Sequence, residues 1–281
     1  MKSIVKAFAF MLIMILFIQC EKDKPNPNVI ITDDNFLSAL IESGIDTDGD
    51  GKISYAEAEV VKVLYLDRDS ISDMSGIEAF KNLEVLDCWD NNLTTLNVTN
   101  NLFLEGLNCH GNQLSTLDVS KNVLLTHLTC SYNKLASIDI SHNPALELLN
   151  VYSNDLTSLD VSELTALGWL DCDNNQLTTL DISNNPSLRG LSCDYNQLTT
   201  MDLSNQLELG QLECGSNLFT SLDISNNSKL GTVYTGYLCL VIDYMPSLHE
   251  VCVWTLPFPP EGLNITTTGS PNVYFTTNCN K

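Results

Sequence analysis

Apolar positions recur along this chain with a fixed spacing of 21 residues. The repeated unit begins at one of eight leucines: Leu83, Leu104, Leu125, Leu146, Leu167, Leu188, Leu209 and Leu230. Counted from that leucine, positions 4 and 6 are apolar and alternate with position 5, which is polar in every regular unit, and with the more variable positions 3 and 7. Such alternation predicts a short strand with one buried face. A unit this short cannot bury that face alone, so we expect consecutive units to stack as parallel strands about 4.8 Å apart.

Two polar columns in the repeat are interpreted as structural. Position 9 is asparagine, whose amide carries both the donor and the acceptor needed by inward-facing backbone groups at a turn. An aspartate in the second half of the unit is expected to accept hydrogen bonds from turn N–H groups. The asparagine column comprises Asn91, Asn112, Asn133, Asn154, Asn175, Asn196 and Asn217, and the aspartate column comprises Asp118, Asp139, Asp160, Asp181, Asp202 and Asp223.

Position 6 is cysteine in six of the seven regular units, namely Cys88, Cys109, Cys130, Cys172, Cys193 and Cys214. Val151 occupies the same position in the remaining unit, which indicates a small apolar core slot rather than a catalytic or metal-binding role. Strands about 4.8 Å apart also hold in-register side chains too far apart for relaxed disulfide geometry. The column is therefore predicted to be a ladder of buried free thiols.

The repeat L-x-x-L-x-C-x-x-N-x-L-x-x-L-D-[VI]-S-x-N resembles the cysteine-ladder class of bacterial leucine-rich repeats found in internalin-like proteins, over about residues 60–250. The resemblance implies an α/β solenoid that is mostly β, with parallel strands on its concave face. It also implies surface adhesion or partner binding. It transfers no particular ligand, because ligands in this family are recognised by the variable positions.

The patterns divide the chain into a signal peptide (1–20), a polar tether (21–31), a helical cap with a degenerate first repeat (32–82), seven regular repeats (83–229) and irregular last repeats with a β-type C-terminal cap (230–281). Leu248, Val251 and Val253 indicate one last strand within the final segment. Cys239, Cys252 and Cys279 lie outside the ladder. One pair of them could form a disulfide in an exported protein, and the sequence leaves all three pairings open.

The first 20 residues have the features of a secretory signal, with two lysines before an apolar run that ends at Cys20. This cysteine resembles the lipidation site of bacterial lipoproteins, which implies a diacylglycerol anchor and a location at the outer membrane or cell surface. Gln19 departs from the small residue that the family prefers there. An ordinary secretory signal therefore remains the alternative, and the membrane leaflet is open.

Residues 46–57 resemble the twelve-residue calcium-binding loop of EF-hand proteins. Gly51 would make the sharp turn, Lys52 would bind through its carbonyl, Ser54 through water, and Glu57 through both carboxylate oxygens. The alternative is an acidic surface turn that matches by chance. Only one such loop is present, which favours a structural calcium over a calcium switch. The predicted ligand set is Asp46, Asp48, Asp50, Lys52, Ser54 and Glu57.

Positions 3, 5, 7 and 8 are predicted to form the concave surface, and they carry many aromatic and acidic residues. The concave residues include Trp89, His110, His127, Tyr132, Tyr152, Trp169, Asp171, Asp173, Asp194, Tyr195 and Glu213. Exposed tryptophan and tyrosine are frequent interface anchors. The residues chosen as ligand-binding candidates are Trp89, Tyr132, Tyr152, Trp169, Asp171 and Tyr195.

A formal net charge of −22 argues against nucleic acid and anionic lipid headgroups as partners. The chain has no nucleophile-elbow, P-loop or zinc-site spacing, so no enzyme is expected. We predict a monomeric cell-surface protein that binds a protein or cell-surface partner through its concave face. The alternatives are a glycan-binding module for polysaccharide capture and a structural envelope protein without a discrete ligand.

Overall fold

The computed structural model describes residues 28–232 and 238–279. The signal segment and the predicted lipidation site at Cys20 lie outside this described part. Helices α1 (Asp34–Glu42) and α2 (Tyr55–Glu59) precede strand β1 (Val63–Tyr65), which is followed by a short 3-10 helix (Ile77–Ala79). Within the described ranges, no helix is both long and apolar enough to cross a membrane.

Each regular unit contributes one three-residue strand at positions 3 to 5. These strands are β2 (Val85–Asp87), β3 (Gly106–Asn108), β4 (His127–Thr129), β5 (Leu148–Asn150), β6 (Trp169–Asp171), β7 (Gly190–Ser192) and β8 (Gln211–Glu213). Neighbouring strands are parallel and pair in the register of the repeat, so that Leu170 lies opposite Leu191. The predicted solenoid of stacked parallel strands is confirmed.

The core is built from the columns that the repeat keeps apolar. Leu170 and Cys172, at positions 4 and 6 of one unit, have no exposed side-chain surface. The six ladder cysteines are buried and unbridged, as predicted, and burial raises the pKa of the Cys130 thiol to about 12. Because a thiol with such a pKa stays protonated at neutral pH, the ladder is inert packing rather than a set of nucleophiles.

The asparagine column connects adjacent units from inside, as predicted. Asn154 accepts a hydrogen bond from the backbone N–H of Leu135 at 3.0 Å and donates to the carbonyls of Cys130 and Val151 at 3.0 and 3.1 Å. A second buried column at position 19 was not predicted. Asn122, for example, donates to the carbonyls of Val98 and Asn101. The side chain of Asn122 is fully buried.

The aspartate column closes turns outside the concave sheet, which confirms its predicted role. Asp181 accepts a hydrogen bond from the backbone N–H of Ser183 at 3.0 Å, and Asp202 accepts one from Ser204 at 2.9 Å. These bonds lower the pKa of both exposed carboxyl groups. The carboxylates are therefore ionised and engaged with their own turns.

The apolar residues of the degenerate first repeat are all buried: Leu64, Leu66, Ile71, Met74 and Ile77. Helix α1 is fastened to this repeat by its N-cap residue. The carboxylate of Asp33 accepts hydrogen bonds from the backbone N–H of Phe36, from Ser72 and from the backbone N–H of Asp73. Burial alone would raise the pKa of Asp33, but these hydrogen bonds lower it to about 2.

The last turns form two sheets instead of one. Strands β10 (Leu240–Val241) and β12 (Ile265–Thr266) continue the concave sheet in the order β1 through β8, β10, β12. Strands β9 (Ser221–Asp223), β11 (Glu250–Cys252) and β13 (Tyr274–Thr276) form a separate parallel sheet. The strand predicted around Val251 is thus β11, in this second sheet. A disulfide between Cys252 and Cys279 joins it to the tail, and Cys239 is buried.

Candidate functional site

Positions 7 and 8 of each unit form a turn at the edge of the concave sheet. The strand ends at position 5 and the chain turns at position 8, where the backbone is left-handed, with φ of 51° at Tyr132, 53° at Ser153 and 52° at Tyr195. Non-glycine residues seldom adopt this conformation, so its repetition shows that every unit makes the same turn. Side chains at these positions are therefore brought into register at the spacing of the strands.

Four rings form a continuous row along this edge, which we call the aromatic row: Trp89, His110, Tyr132 and Tyr152. The centroids of successive rings are 6.3, 5.1 and 4.8 Å apart, and all three contacts are edge-to-face. This arrangement is favourable for aromatic pairs. The Tyr132 hydroxyl donates to the Tyr152 hydroxyl at 3.1 Å, and that hydrogen bond, together with burial, raises the pKa of Tyr152 to about 12.

The aromatic row carries a cation at its N-terminal end. The guanidinium carbon of Arg68 lies 3.9 Å from the centroid of the Trp89 ring, within cation–π range. The Arg68 Nε also lies 3.5 Å from a carboxylate oxygen of Asp90. Sequence reasoning missed Arg68 as part of this surface. Counting one period back from Trp89 into the degenerate repeat would have placed it at position 7.

An acidic row continues the same edge toward the C-terminus: Asp171, Asp173, Asp194 and Glu213. All four side chains are half-buried, and ligand atoms of Asp173, Asp194 and Glu213 lie within 4.8 Å of one another. The backbone N–H of Asp194 donates to Asp173 at 2.6 Å, and that of Gly215 donates to Asp194 at 2.6 Å. The predicted candidate Asp171 lies beside this converging trio without being part of it, and its charge contributes to the raised pKa of Asp173. The sequence did not reveal this convergence.

The environment of the acidic row disfavours its charge. Burial, together with the neighbouring carboxylates, raises the pKa of Asp173 to about 8 and that of Asp194 to about 7. The ion pairs of the described residues lie elsewhere, at Lys62–Glu84, Lys229–Glu208 and the Asp90 pairs with Arg68 and His110. The row is therefore a cluster of carboxyl groups without a basic neighbour at ion-pair distance among the described residues.

Trp169 and Tyr195 do not join the aromatic row. Trp169 belongs to strand β6, and its indole lies across the next strand, where a Cβ on Gly190 would overlap the ring. It borders a depression that is also lined by His127, Glu147 and Arg189. Tyr195 is at position 8 and is 59 % exposed. The six predicted ligand candidates therefore divide among the aromatic row, the acidic row and two separate locations.

The loop over residues 46–57 brings its three aspartates together. Ligand atoms of Asp46, Asp48 and Asp50 lie within 4.8 Å of one another. Asp46 accepts hydrogen bonds from the backbone N–H groups of Gly49 and Gly51 at 2.8 and 2.9 Å. The loop therefore presents clustered carboxylate oxygens, which are the ligands that calcium prefers.

Glu57 is engaged elsewhere in this structure. One of its oxygens accepts from the backbone N–H and hydroxyl of Ser54, and the other accepts from the backbone N–H and hydroxyl of Thr47. These bonds lower its pKa to about 2, that from the Ser54 backbone most strongly. Ser54 and Glu57 thereby form a capping box at the start of α2. The donor chemistry fits calcium, and Glu57 would have to exchange these partners to bind the ion with both oxygens.

The loop is attached to the rest of the cap through its eighth residue. Ile53 is buried, and its carbonyl accepts a hydrogen bond from the backbone N–H of Val29 at 2.7 Å. Phe36 and Leu40 of α1 belong to the same hydrophobic core. An ion held by the three aspartates would therefore stabilise the packing of the N-terminal segment.

No protein-family model and no curated protein matches the chain. Among solved structures, the functional domain of InlJ from Listeria monocytogenes, which includes a cysteine ladder, is similar with a TM-score of 0.65 and 29% identity. That match covers 86% of this chain and 60% of the InlJ chain, so this chain spans about 60% of the length of that relative.

Two further structures share the architecture at lower identity. An internalin C2 from Listeria monocytogenes has a TM-score of 0.56 and 20% identity, with 90% of this chain and 98% of that chain covered. The leucine-rich repeat ectodomain of the plant receptor kinase GASSHO1/SCHENGEN3 from Arabidopsis thaliana has a TM-score of 0.55 and 18% identity, with 78% and 27% covered. These two likenesses show the fold alone. Together with the repeat geometry, the structural comparisons show that this chain is a leucine-rich repeat solenoid.

Proposed function

We propose that this protein binds a protein or cell-surface partner through its concave face and catalyses no reaction. The aromatic row is the observation that carries the proposal. Four rings from four consecutive units form one continuous surface, and Tyr132 remains 47 % exposed. Clustered tryptophan and tyrosine side chains on a rigid frame lose little conformational entropy on binding and dominate many interfaces.

The structural relatives support a binding role. The receptor-kinase ectodomain was solved in complex with CASPARIAN STRIP INTEGRITY FACTOR 2, so a leucine-rich repeat surface of this kind can hold a partner. The InlJ structure is described as that protein's functional domain. The residues at the concave surface positions of this chain vary from unit to unit, whereas those of the core columns stay nearly constant. Such variation is what recognition of one particular partner requires.

We also propose that calcium stabilises the N-terminal cap and that Cys20 carries a lipid anchor at the outer membrane or cell surface. The three clustered aspartates support the calcium site, with Lys52, Ser54 and Glu57 as its further predicted ligands. The signal-like segment supports export. With a lipid anchor, the part of the polar tether that precedes Val29 would separate the solenoid from the membrane, because Val29 itself is buried in the cap.

A binding screen tests the proposed function. The purified protein, in calcium buffer, would be presented to a panel of extracellular proteins and to a glycan array side by side. The triple variant Trp89→Ala/Tyr132→Ala/Tyr152→Ala removes most of the aromatic row. Phe103→Ala is the matched control, because Phe103 is 51 % exposed and lies outside the concave sheet. We expect a saturable protein interaction that the triple variant loses and the control keeps.

Glycan capture is the second candidate, and one observation favours it. Trp169 presents its indole beside a depression lined by His127, Glu147 and Arg189, and a flat aromatic ring with polar neighbours suits stacking on a sugar. Trp169→Ala should then abolish a hit on the glycan array while the triple variant keeps it. Blank results on both panels would instead favour a structural envelope protein and contradict the proposed function.

A further inference from the structure

The aromatic row and the acidic row form one continuous strip. Tyr152 ends the first row, and Asp173 occupies the same position in the next unit, close enough that its charge contributes to the raised pKa of Tyr152. From Trp89 to Glu213 the strip crosses six unit spacings, or about 29 Å at a strand spacing of about 4.8 Å. An extended peptide of about nine residues would cover that length at about 3.3 Å per residue.

The aromatic half of the strip already shows which group it accepts. Arg68, the side chain that caps this row, places its guanidinium 3.9 Å from the Trp89 centroid. The electron-rich faces of tryptophan and tyrosine attract cations in this way, and guanidinium groups most often. The contact between Arg68 and Trp89 is therefore an example, within the chain itself, of the contact that a basic side chain of a partner would make farther along the row.

The acidic half of the strip also favours a partner with cationic side chains. Asp171, Asp173 and Asp194 are half-buried, and oxygens of Asp173, Asp194 and Glu213 converge within 4.8 Å. Burial raises the pKa of all three aspartates, and the charges of Asp171 and Asp194 raise that of Asp173 further. Ion pairs of the described residues do not reach them. A cationic side chain placed among these carboxyl groups would relieve the repulsion between their charges. Binding of a basic group is therefore favoured, because it offsets the free-energy cost of burying those charges without a partner.

We infer that the partner presents a segment rich in lysine or arginine, whose cations lie on the acidic row while its adjoining side chains pack on the aromatic row. The inference rests on the proposed binding function and names the chemistry of the partner. A single metal ion could contact the three converging carboxylates but would leave the aromatic row without a role. A basic segment uses both halves of the strip.

The test uses synthetic peptides of about ten residues, the length that covers the strip. One peptide alternates arginine or lysine with small apolar residues, and the other carries glutamate in place of each basic residue. Binding to the purified protein is followed by fluorescence anisotropy at low and at moderate salt. The acidic-row variant is Asp171→Asn/Asp173→Asn/Asp194→Asn/Glu213→Gln.

The control variant replaces the same number of carboxyl groups on another surface. It is Asp139→Asn/Asp160→Asn/Asp181→Asn/Asp202→Asn, in which each amide keeps the oxygen that accepts the turn hydrogen bond. We expect the basic peptide to bind the wild type and to bind the acidic-row variant at least about tenfold more weakly, the size of effect typical of close charge pairs. The control variant should stay within about twofold, since exposed charges are screened. The glutamate peptide should not bind.

Several outcomes would overturn the inference. They are an absence of binding by the basic peptide, an equal loss in both charge variants, or displacement of the peptide by magnesium beyond the effect of sodium chloride at the same ionic strength. The last result would assign the acidic row to a divalent cation. If the acidic-row variant does not fold, Asp194→Asn alone serves, with Asp181→Asn as its control.

The inference and the proposed function can fail separately. A protein partner that is lost with the aromatic row but kept by the acidic-row variant would preserve the proposed function and remove the inference. Partners that bind the aromatic-row variant as tightly as the wild type would remove the proposed function, whatever the peptides do.

Discussion

Positions 7 and 9 of the repeat are two residues apart, yet they obey different constraints. Position 9 points inward and is the same asparagine in all seven regular units, each one donating to backbone carbonyls of its own and the preceding unit. Position 7 faces the concave edge and changes from tryptophan to histidine, serine, tyrosine, aspartate and glycine. The comparison shows that one turn of backbone specifies the fold on its inner side and leaves the outer side free to specify a ligand.

The largest expected effect comes from breaking the inner column. Asn154→Ala would leave the buried N–H of Leu135 without a partner. It would also remove one of the two asparagine hydrogen bonds that the carbonyls of Cys130 and Val151 each accept. A buried unsatisfied group costs about 1–3 kcal/mol and each further lost hydrogen bond about 1 kcal/mol, so we expect the free energy of unfolding to fall by about 3 kcal/mol or more. Chemical denaturation measures the loss. Tyr152→Phe is the outer control and should stay within about 0.5 kcal/mol. Equal losses in the two variants would remove the distinction between the columns.

Calcium should stabilise the N-terminal end by a comparable amount. A ligand at about a hundredfold excess over its Kd, bound only by the folded state, contributes about 2.7 kcal/mol. The Tm of the wild type should therefore rise when calcium replaces chelator, and that of Asp46→Ala should not respond. Asp118→Ala is the control, because Asp118 also closes a local turn but lies outside the loop. A calcium response that survives Asp46→Ala would contradict the proposed site.

The outer acidic row should make stability fall with rising pH. The pKa of Asp173 is raised from 3.8 to about 8 by burial and by Asp171 and Asp194, so folding favours the protonated carboxyl. The protonated Asp173 carboxyl makes its full contribution to stability below the pKa that it has in the unfolded chain. That contribution is lost as pH rises through about 8. Tyr152, which also faces Asp173, stays neutral over this range. Asp173→Asn should flatten the dependence of Tm on pH between about 5 and 8.5.

Asp181→Asn is the control for that pH dependence. The pKa of Asp181 is lowered by its hydrogen bonds with Ser183, so this carboxyl is ionised in both the folded and the unfolded state above about pH 5. Its removal should leave the slope of Tm against pH unchanged over the same range. A wild-type Tm that is independent of pH there would show that the acidic row is not destabilised by its charge.

The smallest effect is expected for a volume-conserving change in the inner column of cysteines. Val151 already occupies this slot in one unit, and Cys172 occupies it fully buried in the next. Cys172→Val should therefore cost less than about 1.5 kcal/mol in chemical denaturation and leave partner binding unchanged. A much larger loss would mean that the thiols contribute more than packing.

The regular part of the fold was predictable because its information is local and periodic. The spacing of 21 residues placed the strands, the buried thiols and the asparagine column correctly. The C-terminal end was not predictable to the same depth. Between Leu230 and Leu248 the period fails, and the pairing of β12 with β10 and of β13 with β11 joins segments that share no repeat signal.

The candidate site was predictable in its location but not in its grouping. Tyr132 is at position 8, as is Tyr195, yet only Tyr132 joins the aromatic row. The residue before it, Ser131, is small and buried, and the ring of Tyr132 contacts the ring of His110 on one side and that of Tyr152 on the other. Trp169 likewise depends on the absence of a side chain at Gly190 in the next strand. The placement of such side chains depends on their neighbours in adjacent units. A prediction that considers one repeat position at a time does not include those neighbours.

The most direct test of the account is the ratio of two dissociation constants for the protein partner identified by the screen, measured with the variant Trp89→Ala/Tyr132→Ala/Tyr152→Ala and with Phe103→Ala. Circular dichroism would first establish that both variants retain the solenoid. The account predicts that the triple variant binds at least about a hundredfold more weakly than the control, as expected when central aromatic anchors are removed. Equal dissociation constants would show that the partner binds elsewhere and would contradict the concave face as the binding site.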